Sequence, residues 1–148
     1  MNELAKENEM TAKDWLNRGR RLSREIESLE AAKQSAYELV TGTTSAPSAS
    51  PAGGSRDPHK FEAYAEYEAL IDKRVAELIS IRAEIITAVQ KVEDARYRKL
   101  LIDRYVRELT WEQIAVEMRY TYRGVLTLHG KALKAVKVFI VFHTSPVL

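Results

Sequence analysis

The chain contains no cysteine, which excludes a disulfide scaffold, a thiolate metal site and a cysteine nucleophile together. Its histidines, His59, His129 and His143, lie far apart, with no HxH or HxxxH pair of the kind that grips a metal ion. No Walker loop, GxGxxG or GxSxG occurs, and Gly53-Gly54 falls in a segment of linker composition. The carboxylate pair Glu93-Asp94 sits at a helix junction, where capping accounts for it. No catalytic residue, cofactor-binding residue, metal ligand or cofactor is therefore assigned, and the chain reads as something other than an enzyme. The stretch from Met1 to Asp14 is polar and charged, without the apolar run of a signal peptide or membrane span. Acidic residues are missing altogether after Glu117, while Arg119, Arg123, Lys131, Lys134 and Lys137 follow.

Glycine and proline are sparse, at six and four in 148 residues, while Ala, Glu, Lys, Arg and Leu abound. That composition favours an all-α protein. Apolar residues make up 45%, enough to bury a core, and the 30% that are charged imply a large solvated surface. The net charge of +2 hides an uneven distribution: residues 91–148 carry eleven basic and six acidic side chains, whereas the preceding segments are slightly acidic. A one-sign surface at one end of a nearly neutral chain suits a polyanionic partner or a basic tail that aids solubility.

Seven-residue spacing marks two long helices. Residues 1–40 form an N-terminal helical arm whose helix spans 12–40, with Trp15, Leu22, Leu29 and Ala36 in register and Ile26 and Val40 on the neighbouring stripe. Thr11 and Asp14 resemble a capping box, and Met10 and Trp15 occupy the positions of a hydrophobic staple. Residues 41–57, rich in Ser, Thr, Ala, Gly and Pro, cannot offset their ordering entropy by burial and read as a flexible linker. Asp57 and Pro58 then suit the N-cap and first position of a second long helix over 58–93. Its stripe is Tyr64, Ile71, Leu78, Ile85 and Val92, accompanied by Phe61, Val75 and Val89 and widened by Ile81 and Ile86. The two helices must bury these stripes on each other or on a second copy, and a coiled-coil-like antiparallel hairpin is the simplest solution. The run Arg18, Arg20, Arg21 and Arg24 is interleaved with Glu25, Glu27 and Glu30, which favours a self-paired solvated face over a phosphate-binding strip.

From residue 94 the rhythm shortens to three apolar clusters, predicting three short helices over 94–137 and an apolar tail over 138–148. Thr110 and Gln113 form a capping box that starts a helix at Trp111. Ile114, Ala115 and Met118 should face inward, and the small Ala115 lets a second helix cross closely. Arg119 and Tyr120 make a turn, and Thr121 caps a helix whose inward positions are Val125, Leu128, Ala132 and Leu133. Its outward positions, Tyr122, Arg123, Leu126 and Thr127, are where a recognition helix meets base edges, and Lys131 and Lys134 are placed for phosphates. Arg119, Thr121, Tyr122, Arg123, Leu126, Thr127, Lys131 and Lys134 are thus the candidate DNA-binding residues. Trp111 is expected to pack rather than stack on a base. His129 is expected to touch phosphate, face solvent or cap. Gly124, inside the recognition helix, either admits the DNA backbone or weakens the helix.

The stretches Tyr97–Tyr105, Leu109–Ala115 and Tyr120–Leu133 resemble region 4 of sigma-70-type factors. More broadly, residues 12–137 are similar to small phage and prophage proteins of Gram-positive bacteria, grouped with late-gene transcription activators of the RinA and ArpU kind. The sharpest motifs are Leu109–Ala115 and Leu128–Leu133. The resemblance implies a helical arm followed by a helix-turn-helix, a cytoplasmic place in a bacterial host cell, and phage late-gene activation on double-stranded DNA. Host RNA polymerase, or a second copy forming a homodimer through the long helices, would be the protein partner, with no membrane involved. The sequence departs from sigma factors at Tyr122, Arg123, Leu126 and Thr127, so base preference does not carry over. A small-terminase-like DNA-packaging protein, or a helical interaction module without DNA binding, are the rival readings.

Overall fold

The computed structural model describes residues 10–42 and 58–141. The polar N-terminus before residue 10, the linker over 43–57 and the last seven residues of the tail lie outside them. The described residues form five helices and no strand: α1 (Ala12–Thr41), α2 (Pro58–Gln90), α3 (Ala95–Tyr105), α4 (Trp111–Met118) and α5 (Tyr122–Lys137). The chain is all-α.

Local chemistry sets the helix ends. At the start of α1, Thr11 N–H donates to Asp14 Oδ2 at 3.2 Å and Asp14 N–H donates to Thr11 Oγ1 at 3.1 Å. Asp thus does the work of the usual Glu or Gln in a reciprocal cap, and these bonds hold its carboxyl below the ordinary carboxylate range. Met10 remains half exposed, so only the Trp15 half of the expected staple is buried. At the other end of the long helices, α2 stops at Gln90 and Asp94 caps α3 by accepting from Arg96 N–H at 2.8 Å. Arg98 Nη1 donates to the carbonyls of Val92 and Glu93 at 2.8 and 2.7 Å, satisfying acceptors that the end of α2 leaves open.

The contacts divide the chain into two compact units, residues 22–79 and the residues outside that span. The division therefore runs through both long helices, whereas the heptad pattern suggested a boundary near residue 93. In the unit over 22–79, Leu22, Ile26, Ile71 and Leu78 are buried. Arg74 meets Glu25 at 3.3 Å, Lys33 meets Glu68 at 3.2 Å, and the Tyr37 and Tyr64 rings lie 6.0 Å apart. Partner numbers fall on α2 as they rise on α1, so the two segments run antiparallel. These exposed ion pairs contribute little each, and the apolar seam supplies most of the cohesion.

In the other unit a single core gathers Trp15 and Leu16 from α1 and Ile85, Ala88, Val89 and Val92 from α2. It joins them to Leu100, Leu101 and Tyr105 of α3, Ile114 of α4, and Val125, Ala132 and Val136 of α5. Three helices of 11, 8 and 16 residues are short elements with little apolar surface to bury on one another. Their inward residues complete a core with apolar side chains of the long helices. The core extends into the tail: Ile140 is buried and Phe139 packs against it, while Val138 and Val141 stay exposed.

Candidate nucleic-acid interface

The segment α4–turn–α5 is built by caps visible in the sequence. Thr110 N–H donates to Gln113 Oε1 at 2.9 Å and Gln113 N–H donates to Thr110 Oγ1 at 3.2 Å, completing a capping box. Ile114 and Ala115 turn into the core, and α4 ends at Arg119, which adopts the left-handed conformation with φ +58°. Arg119 N–H and Tyr120 N–H then donate to the carbonyls of Val116 and Ala115, closing the helix. Thr121 caps α5 by accepting from Gly124 N–H at 2.9 Å. A Cβ at position 124 would stand 3.0 Å from that same Thr121 oxygen. Glycine therefore has a local reason to sit there: it leaves room for the cap.

α5 packs against both α3 and α4. Val125, Leu128, Ala132 and Val136 are buried, and Leu133 packs partly against the core. The candidate residues Thr121, Tyr122, Arg123, Leu126, Thr127, Lys131 and Lys134 are all exposed, as is Arg119 in the turn. The structure thus brings all eight onto one continuous stretch and leaves their side chains in solvent.

The basic excess of this part of the chain sorts into two groups. The cations of α3 and its C-terminal edge are committed to the fold: Arg96 pairs with Asp94, Arg98 holds carbonyls, and Lys99 and Arg107 both pair with Asp103 at 2.9 Å. Glu117 of α4 meets the same Lys99 and Arg107 at 3.5 and 3.4 Å, tying α3 to α4. The Asp103 acceptor holds Lys99 and Arg107 above their ordinary values, so both stay charged. By contrast, among the described residues Arg119, Arg123, Lys131, Lys134 and Lys137 pair with no acid. These five are the positions after the last acidic residue.

His129 does not face solvent, cap a helix or lie open to phosphate. It is 8% exposed, with its Nε2 2.6 Å from the Tyr105 hydroxyl and its ring edge-on to Trp111 at 4.5 Å between centroids. Burial, reinforced by the nearby cations Lys13 and Arg104, pushes its pKa down to about 4. Burial pushes the Tyr105 hydroxyl up to about 12. Trp111 packs as expected, with the Arg104 guanidinium 4.2 Å from its ring centroid. Arg104 also donates to the Leu109 carbonyl at 3.0 Å, so one side chain steadies both the loop before α4 and its first residue. This cluster had no signal in the sequence, because its members come from three elements and His129 shares the α5 stripe with exposed Tyr122 and Leu126.

On α1, Arg18 pairs with Glu84 at 2.7 Å and Arg21 approaches Asp14 at 3.5 Å, so two of the run's arginines are engaged with acids, though not with the neighbours expected. No helix among the described residues is long and apolar enough to cross a membrane, and no cluster among them has the ligands to hold a metal ion. The chain matches no protein-family model, no curated protein and no solved structure.

Proposed function

We propose that this protein binds double-stranded DNA sequence-specifically through α5 and thereby regulates transcription. The observation that carries the reading is the sorting of charge: cations beside α3 are used internally, whereas those of the turn and α5 face solvent without acids. A helix presented across a three-residue turn, with its inward face locked to a core, is the geometry that enters a major groove. Arg119 adds support. A non-glycine residue at a left-handed helix end costs on the order of 1 kcal/mol, and this one keeps an exposed guanidinium beside the N-terminus of α5. The resemblance to sigma region 4 directs the reading towards a promoter, with phage late-gene activation as the role and RNA polymerase or a second copy supplying further contacts. One helix-turn-helix alone seldom gives enough affinity.

Two substitutions test the docking. Arg123 lies on the first turn of α5, where its fork can hold guanine bidentately. Arg123→Ala should relax preference at one or two base positions, a discrimination of roughly 1–3 kcal/mol. Lys131 lies two turns further, where a helix leaves the groove, so Lys131→Ala should weaken all duplexes alike and shrink the log–log salt slope by about one unit. Affinity that does not change between low and physiological salt would remove DNA binding altogether.

A further inference from the structure

The outward face of α5 between Arg123 and Lys131 is apolar at its centre. Leu126 leaves 39% of its surface to solvent. Thr127 is exposed, but its hydroxyl donates back to the Arg123 carbonyl at 3.1 Å, so its proton is engaged within the helix and its methyl is the group left to make a contact. Gly130, one turn on, has no side chain, and nothing lies within 4 Å of where its Cβ would stand. No side-chain donor is therefore free on this line until Lys131. Tyr122, 48% exposed, and Arg123, also exposed, precede this patch on the same helix.

In the major groove each base edge offers hydrogen-bonding groups, and the thymine 5-methyl is the apolar group among them. A face with an engaged hydroxyl, a leucine and a bare glycine matches that methyl and offers no side-chain donor to the others. Resting on the DNA-binding reading above, we infer that Leu126 and the Thr127 methyl read a thymine by apolar contact with its 5-methyl group. Gly130 lets the helix backbone lie close to the same base pair. Arg123 stands three to four residues before this patch, about 4.5–6 Å along the helix axis. Base pairs are spaced about 3.4 Å apart, so the thymine lies within roughly two base pairs of the guanine that Arg123 would hold.

The test uses the full chain and duplexes enriched by it from a random pool. Each thymine of an enriched duplex is replaced in turn by deoxyuridine, which removes only the methyl. The expected result is a loss of about fourfold in affinity, the worth of one buried methylene-sized group, at one or two positions near the preferred guanine. Leu126→Ala and Thr127→Ser should each bring the thymine-to-uracil ratio at those positions towards one; both are surface changes, and helicity measured on each variant checks the fold. Tight binding with no thymine-to-uracil difference anywhere overturns the inference and leaves the DNA-binding reading standing. A ratio that survives both substitutions overturns the assignment to these residues. Failure to enrich any duplex overturns the DNA-binding reading itself, and this inference with it.

Discussion

Acidification should loosen the core around α3, α4 and α5 well before carboxylates protonate. His129 is neutral where it is buried, held against Tyr105 and Trp111 with the charges of Lys13 and Arg104 acting on it, and among the described residues no acid pairs with it. Its pKa of about 4 in the folded chain lies below the ordinary histidine value of 6.5. Below pH 6.5 the unfolded chain therefore takes up a proton that the folded chain refuses, and stability falls as pH falls until the folded value is reached. Integrating that linkage from pH 7.5 to pH 5 gives a loss of about 2 kcal/mol from this one ring. The carboxyls of Asp14 and Asp94, both held low by hydrogen bonds, add their own losses only at more acid pH. The window from pH 6.5 to about 4.5 thus belongs to the histidine. Urea unfolding at a series of pH values, on the native chain and on His129→Gln, measures the effect. Glutamine keeps an acceptor for the Tyr105 hydroxyl and has nothing to titrate, so its stability should be flatter across this window even if its absolute value is lower. Parallel pH profiles for the two proteins would refute the argument.

Other outcomes follow from single positions. Gly130→Ala places a methyl in open space inside a helix and should stabilise by about 0.5–1 kcal/mol, whereas Gly124→Ala should gain less or lose, because its Cβ meets the Thr121 cap at 3.0 Å. Paired thermal melts of the two variants decide it. Arg119→Gly should raise stability by about 1 kcal/mol by relieving the left-handed backbone and should at the same time weaken DNA binding. A variant that gains stability without losing affinity would take Arg119 out of the interface. A fragment of residues 94–141 should lack a cooperative unfolding transition, because the buried Leu16, Ile85, Val89 and Val92 that complete its core are absent from it. A sharp transition in that fragment would show the three short helices to be self-sufficient.

What could be read in advance was whatever depends on neighbours in sequence. The reciprocal cap at Thr110 and Gln113, the cap at Thr121, the Asp94 cap and the inward set Val125, Leu128 and Ala132 all rest on spacings of three or four residues, and the structure has each of them. The exposed positions of α5 followed from the same periodicity. Heptad spacing failed where the partner changes along one helix. Leu16 is fully buried though it lies off the marked stripe, and Ile86, counted with the stripe, is partly exposed. A repeat that assumes one partner cannot show where α1 and α2, still in contact at Arg18 and Glu84, also take on the short helices as neighbours in one core. The Tyr105–His129 contact spans 24 residues and joins side chains whose types suit a surface as readily as a core. Charge counting does not tell Lys99 and Arg107 from Lys131 and Lys134: Asp103 stands four residues from each of the first pair, a spacing the sequence shows, but only the fold brings Glu117 to them as well.

The placement of the two tryptophans gives the molecule a built-in optical asymmetry. Trp15 and Trp111 belong to the same core, and residues 22–79 contain no tryptophan. Indole fluorescence therefore watches only one of the two compact units, while far-UV circular dichroism sums the helices of both. Superimposed fluorescence and dichroism curves would mean that the units melt together, as two-state behaviour requires. A gap between the curves would give the stability of the tryptophan-free unit separately, in an unlabelled chain. Quenching by acrylamide or a shift in emission on adding DNA would likewise report on the core behind α5 and be silent about the rest.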